Sequence, residues 1–299
     1  MAYELNATGT GTHRVARLVR KQVEDTLELL GPESASDTAI HTARKHLKKA
    51  RAALRLLRDA LGPAIYAREN SALRDAARPL SVLRDGKALI DQLDKLVKRY
   101  GAPARALELD GLRRLLERER TEARAQLRRS RLRHEMTLLR GVVARSARWP
   151  VGRRGWSVLG PGLERVYKRG RNALAVARAE RTPEALHEWR KQVKYFWHQL
   201  QLLEPLWPGH IGELAGEAHH LGDYLGDDHD LAVLRGKLME HPQALAPPAR
   251  SALLALIDRC RTELQEKALV LGERIYEEKP REFAARFERY WRSWRRRAA

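Results

Sequence analysis

The sequence predicts an all-α protein, and three observations carry that expectation. Apolar residues recur three and four positions apart rather than two. Ala, Leu, Arg and Glu are plentiful, while aromatic residues make up only 6%. Gly, Pro and capping residues punctuate the periodic stretches. The first helix, roughly 12–30, stops at Gly31-Pro32. Ser36 caps the next, 37–61, which runs to Gly62-Pro63. A third helix spans 64–99 before Gly101-Ala102-Pro103, and a fourth covers 110–148. Linker composition follows at 150–156, between Trp149 and Trp156, and divides the chain nearly in half. The expected units are therefore 10–149 and 157–297. In the second unit, helices are expected at 157–179, 183–204, 210–240, 247–277 and 280–296. Thr182 is the N-cap and Pro183 the first residue of the 183–204 helix, and Pro208-Gly209 and Pro247-Pro248 mark two more boundaries.

Composition narrows the function. Hydrophobic residues at 43% suffice for a core and exclude wholesale disorder. The single cysteine, Cys260, excludes a disulfide framework and a multi-cysteine metal site. No apolar run approaches the ~18–20 residues of a membrane span, and the first 22 residues lack a signal-peptide core. A soluble, cytoplasmic protein is expected. The formal net charge is +20 and the sequence pI is about 10.6, so the natural partner is an anion.

The two halves resemble each other. Ala39–Lys48 matches Ala185–Lys194, with His41, Arg44, Lys45 and Lys48 each 146 positions before His187, Arg190, Lys191 and Lys194. Leu80–Asp85 aligns with Leu225–Asp230, one position closer. An internal duplication of a helical unit explains both. At about 100° per residue, Arg44, Lys45, Lys48, Arg51 and Arg55 fall within about 80° of His41. Ile40, Ala43, Leu47, Ala50, Leu54, Leu57 and Leu61 take the other side. The 183–204 helix repeats the pattern, with His187, Arg190, Lys191, Lys194, His198 and Gln201 opposite Leu186, Trp189, Val193, Phe196, Leu200 and Leu203. The stripe from His41 to Arg55 contains no acid, so its cations repel one another at i,i+4 unless an anion compensates them. It is about 21 Å long, which suits an extended polyanion.

The duplicated H-x-x-R-K-x-x-K helices, with Leu80–Arg84-Asp85 and Leu225–Asp230 after them, resemble the CHAD domain (conserved histidine α-helical domain) from about residue 10 to 296. That resemblance implies two pseudo-symmetric helical bundles, with basic residues lining a central groove or channel. It also implies binding of inorganic polyphosphate and association with polyphosphate granules. The ligand-facing residues it implies are His41, Arg44, Lys45, Lys48, His187, Arg190, Lys191 and Lys194. His229 departs from the first half's Arg84. The E-x-E-x-K motif of a fused triphosphate-tunnel enzyme is not found.

Other clusters have ordinary explanations. Asp223, Asp227 and Asp230 share a helix face and could hold a metal, but pairing of Asp85 and Asp230 with Arg or His of the basic helices is favoured over a metal site. At least one of His219 and His220 is expected to pack. Trp189, Phe196 and Trp197 extend the apolar stripe and are expected in the core. Arg128, Arg131 and Arg133, and Arg289 with the C-terminal arginines, are further candidates for the same groove. No Walker A, G-x-S-x-G or H-E-x-x-H motif nominates an enzyme. The expected activity is non-catalytic polyphosphate binding without a cofactor. The alternative is a nucleic-acid-binding, nucleoid-associated protein, which the total charge supports. Against it, the chain lacks helix-turn-helix spacing, an RNP motif and aromatics interleaved with the basic stripes.

Overall fold

A computed structural model describes residues 3–5, 11–31, 36–130, 132–150 and 155–297, without the side chains of residues 11, 82–85 and 128–130. Arg131, Arg128, the Arg84-Asp85 pair and linker residues 151–154 lie outside that description. The described residues form α-helices, two short 3-10 turns and no strand. The helices are α1 (Gly11–Leu30), α2 (Asp37–Leu56), α3 (Arg58–Ala77), α4 (Pro79–Tyr100), α5 (Ala102–Arg105), α6 (Asp110–Ser130) and α7 (Arg133–Ser146), then α8 (Trp156–Glu180), α9 (Pro183–Leu203), α10 (Pro208–Glu240), α11 (Pro247–Ile275) and α12 (Pro280–Arg297).

Most expected boundaries hold, because the residues at them satisfy exposed helix-end groups. Ser36 Oγ accepts from Ala39 N–H at 3.1 Å, and Thr182 Oγ1 accepts from Ala185 N–H at 3.2 Å. Three helices expected from the sequence are broken, and the 37–61 stretch is the first, dividing at Leu57 between α2 and α3. The 64–99 stretch divides at Pro79, which lacks an N–H and opens α4. The 110–148 stretch divides before Leu132, which adopts a left-handed φ of 46°. Gly62-Pro63 marks a kink inside α3 rather than a stop, with Gly62 at φ 75°.

The apolar core divides differently from the two sequence halves. The larger core joins α1, α2, α3 and α7 to α8, α9, α12, the first half of α10 and the end of α11. The smaller core joins Leu89, Leu93 and Leu96 of α4 and Leu112, Leu115 and Leu116 of α6 to leucines of α10 and α11. Each core therefore draws on both sides of the 150–156 linker. At 33 residues, α10 is about 50 Å long and reaches both. No helix among the described residues is long and apolar enough to cross a membrane.

At the centre, α2 and α9 pack against each other. Their expected apolar stripes are buried from Ile40 to Leu54, with Leu57 and Leu61 buried beyond the end of α2, and from Leu186 to Leu203. Buried Gln199 donates through Nε2 to the Ala52 carbonyl at 3.1 Å, tying the two helices together.

Candidate functional site

Burying the apolar stripes of α2 and α9 turns their cationic stripes toward a shared cavity of about 740 Å³, with α4 and α10 as its other walls. From α2 come His41, Arg44, Lys45, Lys48 and Lys49; from α9, Arg190, Lys194, Trp197, His198 and Gln201. Helix α4 supplies Asp91, Gln92 and Lys95, and α10 supplies His219, Asp223, Asp227 and Asp230. Seven Lys and Arg against four Asp leave a formal +3 on the lining, histidines aside.

Two of the four lining carboxylates, Asp223 and Asp227, are engaged with these cations. Lys194 Nζ donates to Asp223 at 3.1 Å, His219 Nδ1 stands 2.7 Å from the same carboxylate, and Lys95 Nζ donates to Asp227 at 2.8 Å. Lys194 also lies 4.8 Å over the Trp197 ring. Asp228 turns away into the protein, where it accepts from Arg261 at 3.0 Å and Gln265 at 2.8 Å. Asp223, Asp227 and Asp228 of the cluster thus serve in ion pairs. Among the described residues no group of three or more His, Cys, Asp or Glu is placed to hold a metal.

Two glycines let the walls close up. A Cβ at Gly222 would lie 2.9 Å from Lys194 Cε and Nζ, and one at Gly226 would lie 3.3 Å from Arg190 Nη2. These positions, four apart on α10, are notches in which the α9 cations rest.

Burial changes the histidines. His198 is 4% exposed; its Nδ1–H donates to Gln201 Oε1 at 3.0 Å, and its ring stacks on Trp197. Burial lowers its pKa to about 3, so the ring is neutral at pH 7. Burial and then the neighbouring His229, Arg190 and Lys191 lower His187 to about 4. Burial, followed by Lys45, lowers Lys49 as well.

The profile of the CHAD domain matches residues 16–239, about three-quarters of the chain. The chain belongs to the CHAD-domain family. A solved structure, PptA from Streptomyces chartreusis, aligns over 90% of this chain and 100% of its own length, with a TM-score of 0.58 and 15% identity, and so shares the fold. Among curated protein sequences no match is found.

Of the residues expected at the site, the cavity of this CHAD protein brings together His41, Arg44, Lys45, Lys48, Arg190, Lys194 and His198. Others stand elsewhere. His187 packs on the His229 ring, 4.4 Å between centroids, and exposed Lys191 pairs with Glu188. Arg51 and Arg55 continue the α2 stripe beyond the cavity and share Asn70 as acceptor. Exposed Arg289 lies on α12, which packs against α8 and the 204–206 turn, away from the cavity. Trp197, expected in the core, is only half-buried and lines the cavity. His219 packs edge-on to it, 4.2 Å between centroids, while His220 is exposed.

The sequence reading missed Lys49, Gln92, Lys95, Gly222 and Gly226. The glycines left a signal, since two mid-helix glycines together cost about 2 kcal/mol of helix propensity and need a packing reason. Lys95 left none, because one lysine on an amphipathic helix is an ordinary surface residue.

Proposed function

We propose that this CHAD protein binds inorganic polyphosphate without transforming it, the chain lying in the α2–α9 groove. One observation carries the reading: the repeated Arg and Lys positions of two helices distant in sequence converge on a single cavity. Polyphosphate is a thin chain of acceptor oxygens. Arg44 and Arg190 offer forked donors to it, and Lys45, Lys48 and Lys194 offer compact charges. Rigid helices hold these donors in rows, as a linear polyanion requires. The buried histidines pack and position in this scheme, and the Arg and Lys residues supply the charge. Membership of the CHAD family supports the polyphosphate reading and an association with polyphosphate granules in the cytoplasm.

The experiment is a titration of the protein with long-chain polyphosphate at physiological salt, competed with DNA, RNA and heparin of matched charge. Polyphosphate is expected to win by tenfold or more, about 1.4 kcal/mol. Equal competition per charge would replace this reading with a diffuse field acting on any polyanion, nucleic acid included. Lys48→Glu with Lys194→Glu is expected to abolish most of the affinity, while Arg292→Glu with Arg296→Glu on α12 leaves most of it intact. The binding constant should fall with salt, as expected when counterions are released.

A further inference from the structure

The α2 stripe does not end with the groove. Lys48 is the last stripe residue at the cavity wall, and Arg51 and Arg55 follow at about 4.5 and 10.5 Å of axial rise. Arg58 opens α3 directly beyond them. These three guanidiniums are held in place by uncharged groups. Arg55 Cζ lies 3.6 Å over the Tyr195 ring, with Arg51 Cζ 5.6 Å from the same ring and Arg58 Cζ 5.0 Å from Tyr66. Arg55 Nη1 donates to Asn70 Oδ1 at 3.1 Å and to the Arg51 carbonyl at 3.2 Å.

The neighbouring acids have other partners. Arg165 takes Asp59, Arg145 and Arg68 take Glu69, and Arg74 takes Asp75. Among the described residues, Arg51, Arg55 and Arg58 form no ion pair. Burial first, and then the like charges of Arg51 and Arg58, weaken the proton affinity of Arg55. Three adjacent, half-buried arginines repel one another and lose hydration. Each guanidinium carries five N–H donors, and Arg55 spends one nitrogen on the two contacts above. The cluster has the composition of a preorganised receptor for a doubly ligated oxyanion.

We infer that Arg51, Arg55 and Arg58, clamped by Tyr195, Tyr66 and Asn70, form a second phosphoryl-binding subsite beyond the end of the groove. Its ligand is a phosphoryl group, either the continuing links of a chain lying in the groove or a separate phosphate. The continuing-chain form rests on the groove reading above; the phosphoryl subsite itself does not.

The test uses the full chain and two variants, Arg51→Gln with Arg58→Gln, and Arg55→Lys. The second keeps the charge and removes the fork, and thermal melting confirms that each variant is folded. Calorimetric titrations use pyrophosphate, a short polyphosphate that fits within the groove, and a long one. If the subsite extends the groove, both variants lose about tenfold in long-chain affinity and keep short-chain affinity. If it takes a separate phosphate, pyrophosphate stoichiometry falls by one in the variants. In either case pyrophosphate should shift the Nε–H resonances of Arg51 and Arg55 in the wild type. Unchanged affinities, stoichiometries and resonances would overturn the subsite. Loss of the groove reading shows differently, as long-chain binding that survives Lys48→Glu with Lys194→Glu.

Discussion

Lys194 meets four groups at once: the Asp223 carboxylate, the Trp197 ring, the space left by Gly222, and the open cavity. Any anion recruiting this ammonium competes with Asp223, which His219 also contacts. Asp223→Asn removes the competitor and keeps the shape, so polyphosphate affinity should rise about three- to tenfold at low salt, read by titration. Unchanged affinity would mean that Lys194 reaches its ligand without leaving Asp223. His198 sets a pH dependence of a different kind. Its folded pKa of about 3 lies below the ordinary 6.5, so the unfolded chain binds more protons between those values. Stability from its burial is present above pH 6.5 and is lost as the pH falls toward 3, with His187 contributing in the same direction down to about 4. At pH 5 the His198 share is on the order of 1–2 kcal/mol. Melting temperature should fall from pH 6.5 to 5 in the wild type and fall less steeply in His198→Gln. Equal slopes would contradict the neutral, packed ring.

At the scale of helices, α2 and α9 were legible because their two stripes are separated cleanly around the axis, from Ile40 to Leu54 and from Leu186 to Leu203. A stripe gives the direction of a residue around its own helix. Whether that residue reaches a cavity depends on where the next helix crosses. Lys48 and Arg55 share one stripe, yet only Lys48 lines the groove, because Arg55 lies against Tyr195. The wall opposite was less visible. The acidic face of α10 reads from its spacing, yet the pairs expected there were for Asp230 with Arg or His, and the carboxylates seen in pairs are Asp223 and Asp227, with Lys194 and Lys95. Leu132 breaks the arginine-rich stretch in a sequence of good helix formers, with no Gly or Pro nearby to announce it. The α10 notches make an element-level prediction that separates folding from binding. Gly222→Ala improves helix propensity by about 1 kcal/mol but sets a methyl group against Lys194. Thermal stability should hold or rise while polyphosphate affinity drops severalfold. A joint fall in both would place Gly222 in the packing of the helix pair instead.

For the whole molecule, the two cores set the pattern of stability. Leu93 is fully buried between α4 and its partners on α6, α10 and α11. Leu93→Ala should cost about 2–5 kcal/mol, measured by denaturant unfolding. The same core carries α4 and α10, the walls that bear Lys95, Asp223 and Asp227. Loosening it should therefore weaken polyphosphate binding before the protein unfolds, visible as affinity that falls faster with temperature than in the wild type.

The shared cores also bear on how the chain comes into being. During synthesis, α4 and α6 leave the ribosome with a row of leucines whose partners, Leu231, Leu234 and Leu238 among them, are more than a hundred residues from being made. For that interval the nascent first half carries a bare apolar surface, together with a cationic stripe that ribosomal RNA attracts. Such late, distant contacts slow folding and favour association with other chains. Cutting the chain within 150–156 turns this into a measurement. Each fragment alone should be soluble only poorly, and co-expression should restore a single particle with the groove intact. The protein would thereby serve as a split reporter whose two pieces recognise each other through α4, α6, α10 and α11.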